Sequence, residues 1–294
     1  MSRARKISII TPVLNGADFI GELVDCLMQQ SMSDWEHIVV DGGSSDSTVQ
    51  VLQDLYRGDP RLVLLEEPGL ALYPSVLRGF TAAQGHIIGW QNADDMYTPW
   101  AFQAVVDFQA RTRSEWFTGL PGCWDEMGTL RFARPYGWYP RKLIKRGWFH
   151  ADLLGFLQQE SIFFSKQAFE NLSAGDRGQV AEASIAGDFI LWIKLAKIHK
   201  LDVLPTVLSG FRRHQSNLSH TEFEKYMDEV RMHGGVFLPS MFAALSRKLF
   251  RTISAHSALQ RVESEDQLLT RELSLDREQP GVRSGDAVKP MLEP

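Results

Sequence analysis

The sequence predicts an α/β fold: a mostly parallel central sheet flanked by helices, with a C-terminal helical extension. Three observations carry this. Short apolar runs alternate with segments of helical periodicity through the first half of the chain. The first of those runs is apolar on both faces, as a central parallel strand covered by helices on each side must be. Thr11, Asp41, Glu66 and Asp94 fall at or near the carboxyl ends of four separate runs, the edge at which open parallel sheets bind ligands.

The elements follow in order. Lys6 to Thr11 (KISIIT) reads as a first strand, and Phe19, Ile20, Leu23, Val24, Leu27 and Met28 recur at helical spacing after it, predicting a helix from about Ala17 to Gln30. Glu36 to Asp41 (EHIVVD) is a second strand. The turn after it offers Ser45 or Asp46 as an N-cap for a helix marked by Val49, Leu52, Leu55 and Tyr56. Arg61 to Glu66 is a third strand, Tyr73 to Gln84 a helix, Ile87 to Trp90 a short central strand, Pro99 to about Arg111 a helix and Trp116 to Leu120 a further strand. Pro121 to Gly155 is rich in Trp, Tyr, Arg and Lys but lacks a period, so a long, partly ordered loop is expected, either a basic connector or a surface for sugar faces and phosphates. Gln159 to Ser165 reads as a strand entering a short helix, Ile185 to His199 as a strong helix, and Leu201 to Leu204 and Val207 to Arg213 as two closing strands. A broken helix is expected from Glu222 to about Leu259. The domain reading is residues 1–220 as the main domain, divided near 120 into two halves, 221–261 as the extension and 262–294 as a disordered tail, which is charged and poor in aromatic residues.

Composition narrows the class. A chain of 294 residues with 44% apolar and 23% charged residues has ample core for one large or two small domains. A net charge of −5 gives no support for a nucleic-acid surface. The two cysteines, Cys26 and Cys123, form neither a metal-site spacing nor a disulfide framework, and Cys26 falls on the apolar side of a helix. That cysteine usage fits a reducing, cytoplasmic setting, and no run of about 18 apolar residues is present, so no spanning helix is expected. Val236 to Arg251 mixes apolar residues with three cations. It either lies peripherally on the inner face of a membrane or packs as an ordinary helix on the domain or on the second subunit of a homodimer.

The most chemical stretch is Gln91-Asn92-Ala93-Asp94-Asp95, directly after the central strand. Adjacent carboxylates at the end of a buried strand are costly to leave unpaired. A divalent cation is one partner for them, since Mg²⁺ is held by one or two carboxylates and completes its shell with substrate phosphates. Capping of the next helix is the other reading.

Taken together, six segments resemble glycosyltransferase family 2, the nucleotide-sugar enzymes of the Rossmann-like GT-A fold. They are ISIITPVLNG, EHIVVDGGSSDST, EEPGLALYPSVLRGFTAAQGHIIGWQNADDMYTP, QESIFFSKQAFE, GDFILWIKLA and FRRHQSNLS, spanning Lys6 to Ser219 in the family's order. The resemblance implies a metal-dependent, inverting transfer of a sugar from a nucleotide-diphosphate sugar to a hydroxyl of a glycan or lipid-linked acceptor, in the assembly of a surface polysaccharide or glycolipid. It implies Mn²⁺ or Mg²⁺ at Asp94, with His214 approaching the metal. It implies a donor site of Thr11, Pro12, Asn15, Asp41, Gly42, Ser44, Asn92, Ala93 and Arg213, with Asp41 meeting the base. Asp188 would be the general base, N-capping of its helix being the competing role.

Two departures from the family pattern matter. Asn92 stands where the family's Asp-x-Asp begins, and Gly187 precedes Asp188 where relatives often carry an acidic pair. Asn92 sustains an alternative reading, a sugar-nucleotide-binding subunit with little catalysis that scaffolds a glycan-assembly complex. A nucleotidyltransferase would want a basic phosphate loop, and Thr11 to Gly16 holds no Lys or Arg.

Overall fold

In the computed structural model, the described residues are 6–134, 137–214, 217 and 221–254. The first strand, β1 (Ile7–Val13), leads into α1 (Ala17–Met28), then β2 (Trp35–Asp41), α2 (Thr48–Tyr56), β3 (Leu62–Glu66), α3 (Leu72–Ala82) and β4 (Ile87–Trp90). A two-residue β5 (Met96–Tyr97), α4 (Ala101–Thr112), β6 (Trp116–Trp124), β7 (Leu130–Ala133) and α5 (Arg141–Lys145) follow. A 3-10 turn (Gln159–Ser161) enters β8 (Ile162–Ser165), α6 (Lys166–Glu170), α7 (Ala174–Ala181), α8 (Gly187–Ile198), β9 (Asp202–Arg212) and α9 (Phe223–Met232). A last helix, α10, covers 240–254.

The strands form one sheet in the order β3-β2-β1-β4-β8-β6-β9-β5, with β7 paired to β6. Its first four strands are parallel, and β8 joins antiparallel to both β4 and β6. Strand polarity explains the two-sided core. On β1, Ile7, Ile9 and Val13 pack on one side with α1, α2 and α4, while Ile10 packs on the other with α3 and α8. The same alternation sends Phe163 to the first side and Ile162 and Phe164 to the second. Phe80 on α3 is fully buried, with Phe164 and Phe169 at 5.2 and 5.3 Å. Truncating such a ring to Ala costs about 3–5 kcal/mol. Helix α3 lies close on the sheet because Gly79 has no side chain: a Cβ there would stand 2.4 Å from Ile10.

This order creates a crevice. From β1 the chain builds outward through β2 and β3 and then returns to place β4 on the opposite side of β1. The loops leaving β1 and β4 therefore part in opposite directions, the topological point at which open α/β sheets hold ligands.

The structure differs from the sequence reading in three places. The stretch from Pro121 is not one long loop. Strand β6 runs on to Trp124 and β7 returns beside it, because Gly122 packs against Gly210 of β9 too closely for side chains and so reads as a break. Trp138 and Phe149 of this region pack against Phe250 of α10. The two closing strands are one strand, β9, whose register against β6 shifts around Leu120, opposite the segment that holds the exposed Pro205. The broken C-terminal helix parts at Gly234 and Gly235, and its first piece is built into the main core through Val230. The tail from 262 lies outside the described residues. No helix among the described residues is long and apolar enough to cross a membrane.

Candidate active site

A cavity of about 860 Å³ opens at the crevice, within the range of ligand sites. Its first wall is the loop after β1. Pro12, Asn15, Gly16 and Gly42 line it. Asn15 adopts φ 53°, a left-handed conformation that Asn tolerates better than most residues. Its Oδ1 accepts from Ser45 N at 2.8 Å, and its own N donates to Ser44 Oγ at 2.8 Å, tying the first loop to the turn after β2. Asp41 organises that turn: its carboxylate accepts from Gly43 N and Ser44 N at 3.0 Å and from Ser44 Oγ at 2.5 Å. Asp46 bridges the same two loops through Ala17 N and Thr48 N, at 3.1 and 3.0 Å.

Thr11, Asp41 and Ser44 stand behind this wall rather than among the residues that line it. Thr11 is fully buried and hydrogen bonded to His37 Nε2 at 3.0 Å, with Tyr56 Oη on the other ring nitrogen at 2.7 Å. Burial pushes His37 down to about 3, so this network is neutral. Nothing in the spacing of KISIIT distinguishes a hydroxyl facing a ligand from one facing the core.

The second wall follows β4. Asn92, Ala93 and Asp94 line it, and Asp95 turns inward. Asp94 Oδ2 meets His214 Nε2 at 2.8 Å, and the amide of Asn217 lies 3.4 Å from the same oxygen. The His214 ring stacks on Phe19 of α1 at 4.6 Å. Asp95 accepts from Arg212 N at 2.9 Å, stapling the loop to β9. Burial, and then the charge of Asp94, push its carboxyl well up. Neither carboxylate caps α4, which begins at Ala101 without a side-chain cap. Asn92 has both ends of its amide engaged: Trp90 Nε1 donates to it at 3.1 Å, and it donates to Gln159 Oε1 at 3.2 Å. It braces the wall. Arg213 lines the mouth, exposed, with its guanidinium 5.6 Å from the Phe132 ring.

The third wall carries Asp188, on the first turn of α8. It does not cap the helix, whose N-cap is Ala186 with no side-chain bond. The turn before it is held from two sides. Glu229 of α9 accepts from Ser184 N, Ile185 N and Ala186 N at 2.7, 2.7 and 2.6 Å. Burial works against the Glu229 charge, but these bonds outweigh it and hold the carboxyl below its usual range. From the other side Tyr73 of α3 donates to Ile185 O at 2.5 Å. A Cβ on Gly187 would stand 2.4 Å from the Tyr73 ring, so only glycine fits before Asp188. Tyr226 of α9 donates to the Asp188 carboxylate, whose Oδ1 is shut from solvent with no partner among the described residues. Burial pushes Asp188 up to about 6.

Asp94, His214 and Asp188 thus face one cavity, with Pro12, Asn15, Gly42, Asn92, Ala93 and Arg213. The sequence reading missed Glu160, Tyr73, Tyr226 and Glu229. Glu160 carried a signal, a carboxylate opening an otherwise apolar run. The others did not: FEKYMDEVRM reads as a solvated charged helix, and its inward face becomes visible only when α9 is seen packed on α8. Among the described residues no three His, Cys, Asp or Glu side chains converge as a metal centre. Asp94 and His214 offer a carboxylate oxygen and an imidazole nitrogen at one point, a two-ligand set that suits a cation sharing its shell with phosphate oxygens.

A ligand cavity at the crevice of an open sheet of this order defines an α/β protein that binds its ligand at the topological switch point. The chain belongs to glycosyl transferase family 2, whose model matches residues 8–170, more than half of it. Among curated proteins it resembles the uncharacterized glycosyltransferase EpsJ of Bacillus subtilis, 32% identical over 101 residues that cover 34% of this chain and 29% of that one. The chain thus spans less than a third of that relative's length. Among solved structures, S. aureus TarS 1–349 in complex with UDP-GlcNAc matches 83% of this chain and 71% of its own at a TM-score of 0.54 and 15% identity. A mannosyltransferase of Pyrobaculum calidifontis, solved with GDP-Man and Mn²⁺, matches 95% and 82% at 0.56 and 15%. At such identities these two establish the fold.

Proposed function

We propose that the chain is a metal-dependent, inverting glycosyltransferase that moves a sugar from a nucleotide-diphosphate sugar to a hydroxyl of a glycan or lipid-linked acceptor. The observation that carries this is the sharing of one cavity by the Asp94–His214 pair and by Asp188, whose Oδ1 is unsatisfied. The base of the donor would rest on the rim of Pro12, Asn15 and Gly42, with Asp41 and Ser44 holding that rim in shape and Thr11 supporting it from the core. A divalent cation bound at Asp94 and His214 supplies Lewis acidity to the diphosphate oxygens. Arg213 adds fixed positive charge where the leaving diphosphate gathers negative charge.

Asp188 works at the opposite side. Its carboxylate takes the proton of the acceptor hydroxyl as that oxygen bonds to the anomeric carbon and the bond to the diphosphate breaks on the far face. The configuration inverts in one displacement. A carboxylate raised to about 6 remains ionised at neutral pH yet is a stronger base than an exposed one. The test is Asp188→Ala in the full chain, with a thermal-shift screen of nucleotide sugars and Mn²⁺ alongside a transfer assay. Binding is retained and transfer lost if the reading holds. Unchanged transfer contradicts it, and a wild type that binds donors but never turns over assigns the scaffold role instead.

We further infer peripheral contact with an anionic membrane through α10. Met241, Phe242, Leu245 and Leu249 are exposed on it, while Phe250 faces inward against Trp138 and Phe149. Exposed Lys248 and Arg251 flank that apolar stripe, complementing anionic headgroups. Leu245→Glu with Leu249→Glu in the full chain abolishes flotation with phosphatidylserine vesicles on this reading. Unchanged flotation, or loss of a homodimer by the same substitutions, removes it.

A further inference from the structure

The cavity holds a second buried carboxylate that the reaction as described leaves without work. Glu160 sits in the 3-10 turn that enters β8, between the strand that leads to Asp94 and the hairpin of β6 and β7. It is 7% exposed and lines the cavity. Its turn is rigid: Ser161 Oγ donates to Ser209 O at 3.0 Å, and the Gln159 side chain joins Trp90 O to Asn92. Its own N–H and the Gln158 side chain favour the charged form of the Glu160 carboxyl, against the larger effect of burial. Its Oε2, shut from solvent, has no partner among the described residues. A buried carboxylate of this kind is costly unless something completes it.

We propose that Glu160 recognises the donor sugar, its bare Oε2 accepting a hydrogen bond from a ring hydroxyl. This rests on the cavity being a nucleotide-sugar site. The charges of both Asp188 and Asp94 act on Glu160, which places it within electrostatic reach of the two ends of the reaction. In-line displacement requires leaving diphosphate, sugar ring and acceptor oxygen in a row. With the diphosphate at Asp94 and the acceptor at Asp188, a cavity-lining group that both charges reach is available to the sugar. A diphosphate oxygen offers no donor to this oxygen, whereas a sugar hydroxyl is a neutral donor that matches a bare acceptor. The residue before Asp188 cannot supply this carboxylate, since the Tyr73 ring fills the space a side chain there would need. A site whose acceptor is left empty rejects the ligand that lacks the matching hydroxyl.

The test is calorimetric and needs no acceptor. With Mn²⁺ present, full-length wild type, Glu160→Ala and Glu160→Gln are titrated with UDP and GDP, and with UDP-glucose, UDP-galactose, UDP-GlcNAc and GDP-mannose. The proposal predicts that Glu160→Ala leaves the nucleotide diphosphate affinity within about twofold. The same substitution weakens the nucleotide sugar that wild type prefers by roughly tenfold or more, the order of a hydrogen bond to a charged group. A deoxy analogue of that donor completes a double-mutant cycle: removing the recognised hydroxyl weakens wild type but not Glu160→Ala. Glu160→Gln, which keeps an acceptor, falls between. Equal weakening of diphosphate and nucleotide sugar would mark a structural role and overturn the proposal, as would an unchanged preference for the sugar. If wild type binds none of the probes, the glycosyltransferase reading itself fails, a result distinct from either.

Discussion

Asp94 and Asp188 are the same residue type lining one cavity, and their surroundings differ in kind. Asp94 sits in a loop with its Oδ2 against His214 and Asn217. Asp188 sits on a helix with its Oδ1 unpartnered among the described residues, and its carboxylate is otherwise met by the backbone N–H groups of its own turn and by the Tyr226 hydroxyl. On the proposed reading, the first holds a cation and the second takes a proton. The difference comes from the neighbours: a basic strand end, β9, serves the first wall, and an aromatic and acidic pair of helices, α3 and α9, serves the second.

This contrast can be broken in order of expected effect. Asp188→Asn should lower transfer by roughly 10²–10⁴, the usual contribution of a general base, while nucleotide diphosphate affinity stays the same. Asp94→Ala should act the other way round, weakening Mn²⁺-dependent donor binding by on the order of 10–100-fold in a metal titration, the scale on which metal sites respond to lost support. Were the two variants to lose binding and rate alike, the division of labour would be gone. Glu229→Gln places an amide against backbone donors and should cost about 1–3 kcal/mol of stability in urea denaturation, with kcat falling as the turn before Asp188 loosens.

The pH profile sharpens the contrast further. Asp188 must be ionised to work, so kcat should fall as pH drops through about 6. Tyr226→Phe removes a bond that favours the ionised form, and the acid limb should move up. The stability sign is the reverse. Because the folded pKa of Asp188 is raised, its contribution is full below the ordinary carboxylate range and is lost as pH rises through about 6. Asp188→Asn should therefore stabilise the protein at pH 8 relative to pH 4. The effect is about 2 kcal/mol, allowing for screening by water in the cavity, and thermal melts at the two pH values would read it.

Much of the fold was legible because its strands are short, apolar on both faces and separated by clean helical stripes. Ile7, Ile9 and Ile10 announce a central strand in any context. What failed were places where backbone contacts replace side-chain patterns. Gly122 lets β6 approach β9 and ended the strand signal after Leu120, and Pro205 split β9 in the sequence but not in space. The Asp94 and Asp188 segments were legible as motifs. Tyr226 and Glu229 were not, because their contacts run across the fold: Glu229 lies 44 residues from Ile185, whose backbone it holds.

The most direct measurement is an anomalous difference map from crystals grown with Mn²⁺ and a non-hydrolysable nucleotide sugar. A manganese peak beside Asp94 and His214, with the anomeric carbon between that peak and Asp188 Oδ1, is the predicted result. Manganese elsewhere, or a sugar whose anomeric carbon faces away from Asp188, would contradict it.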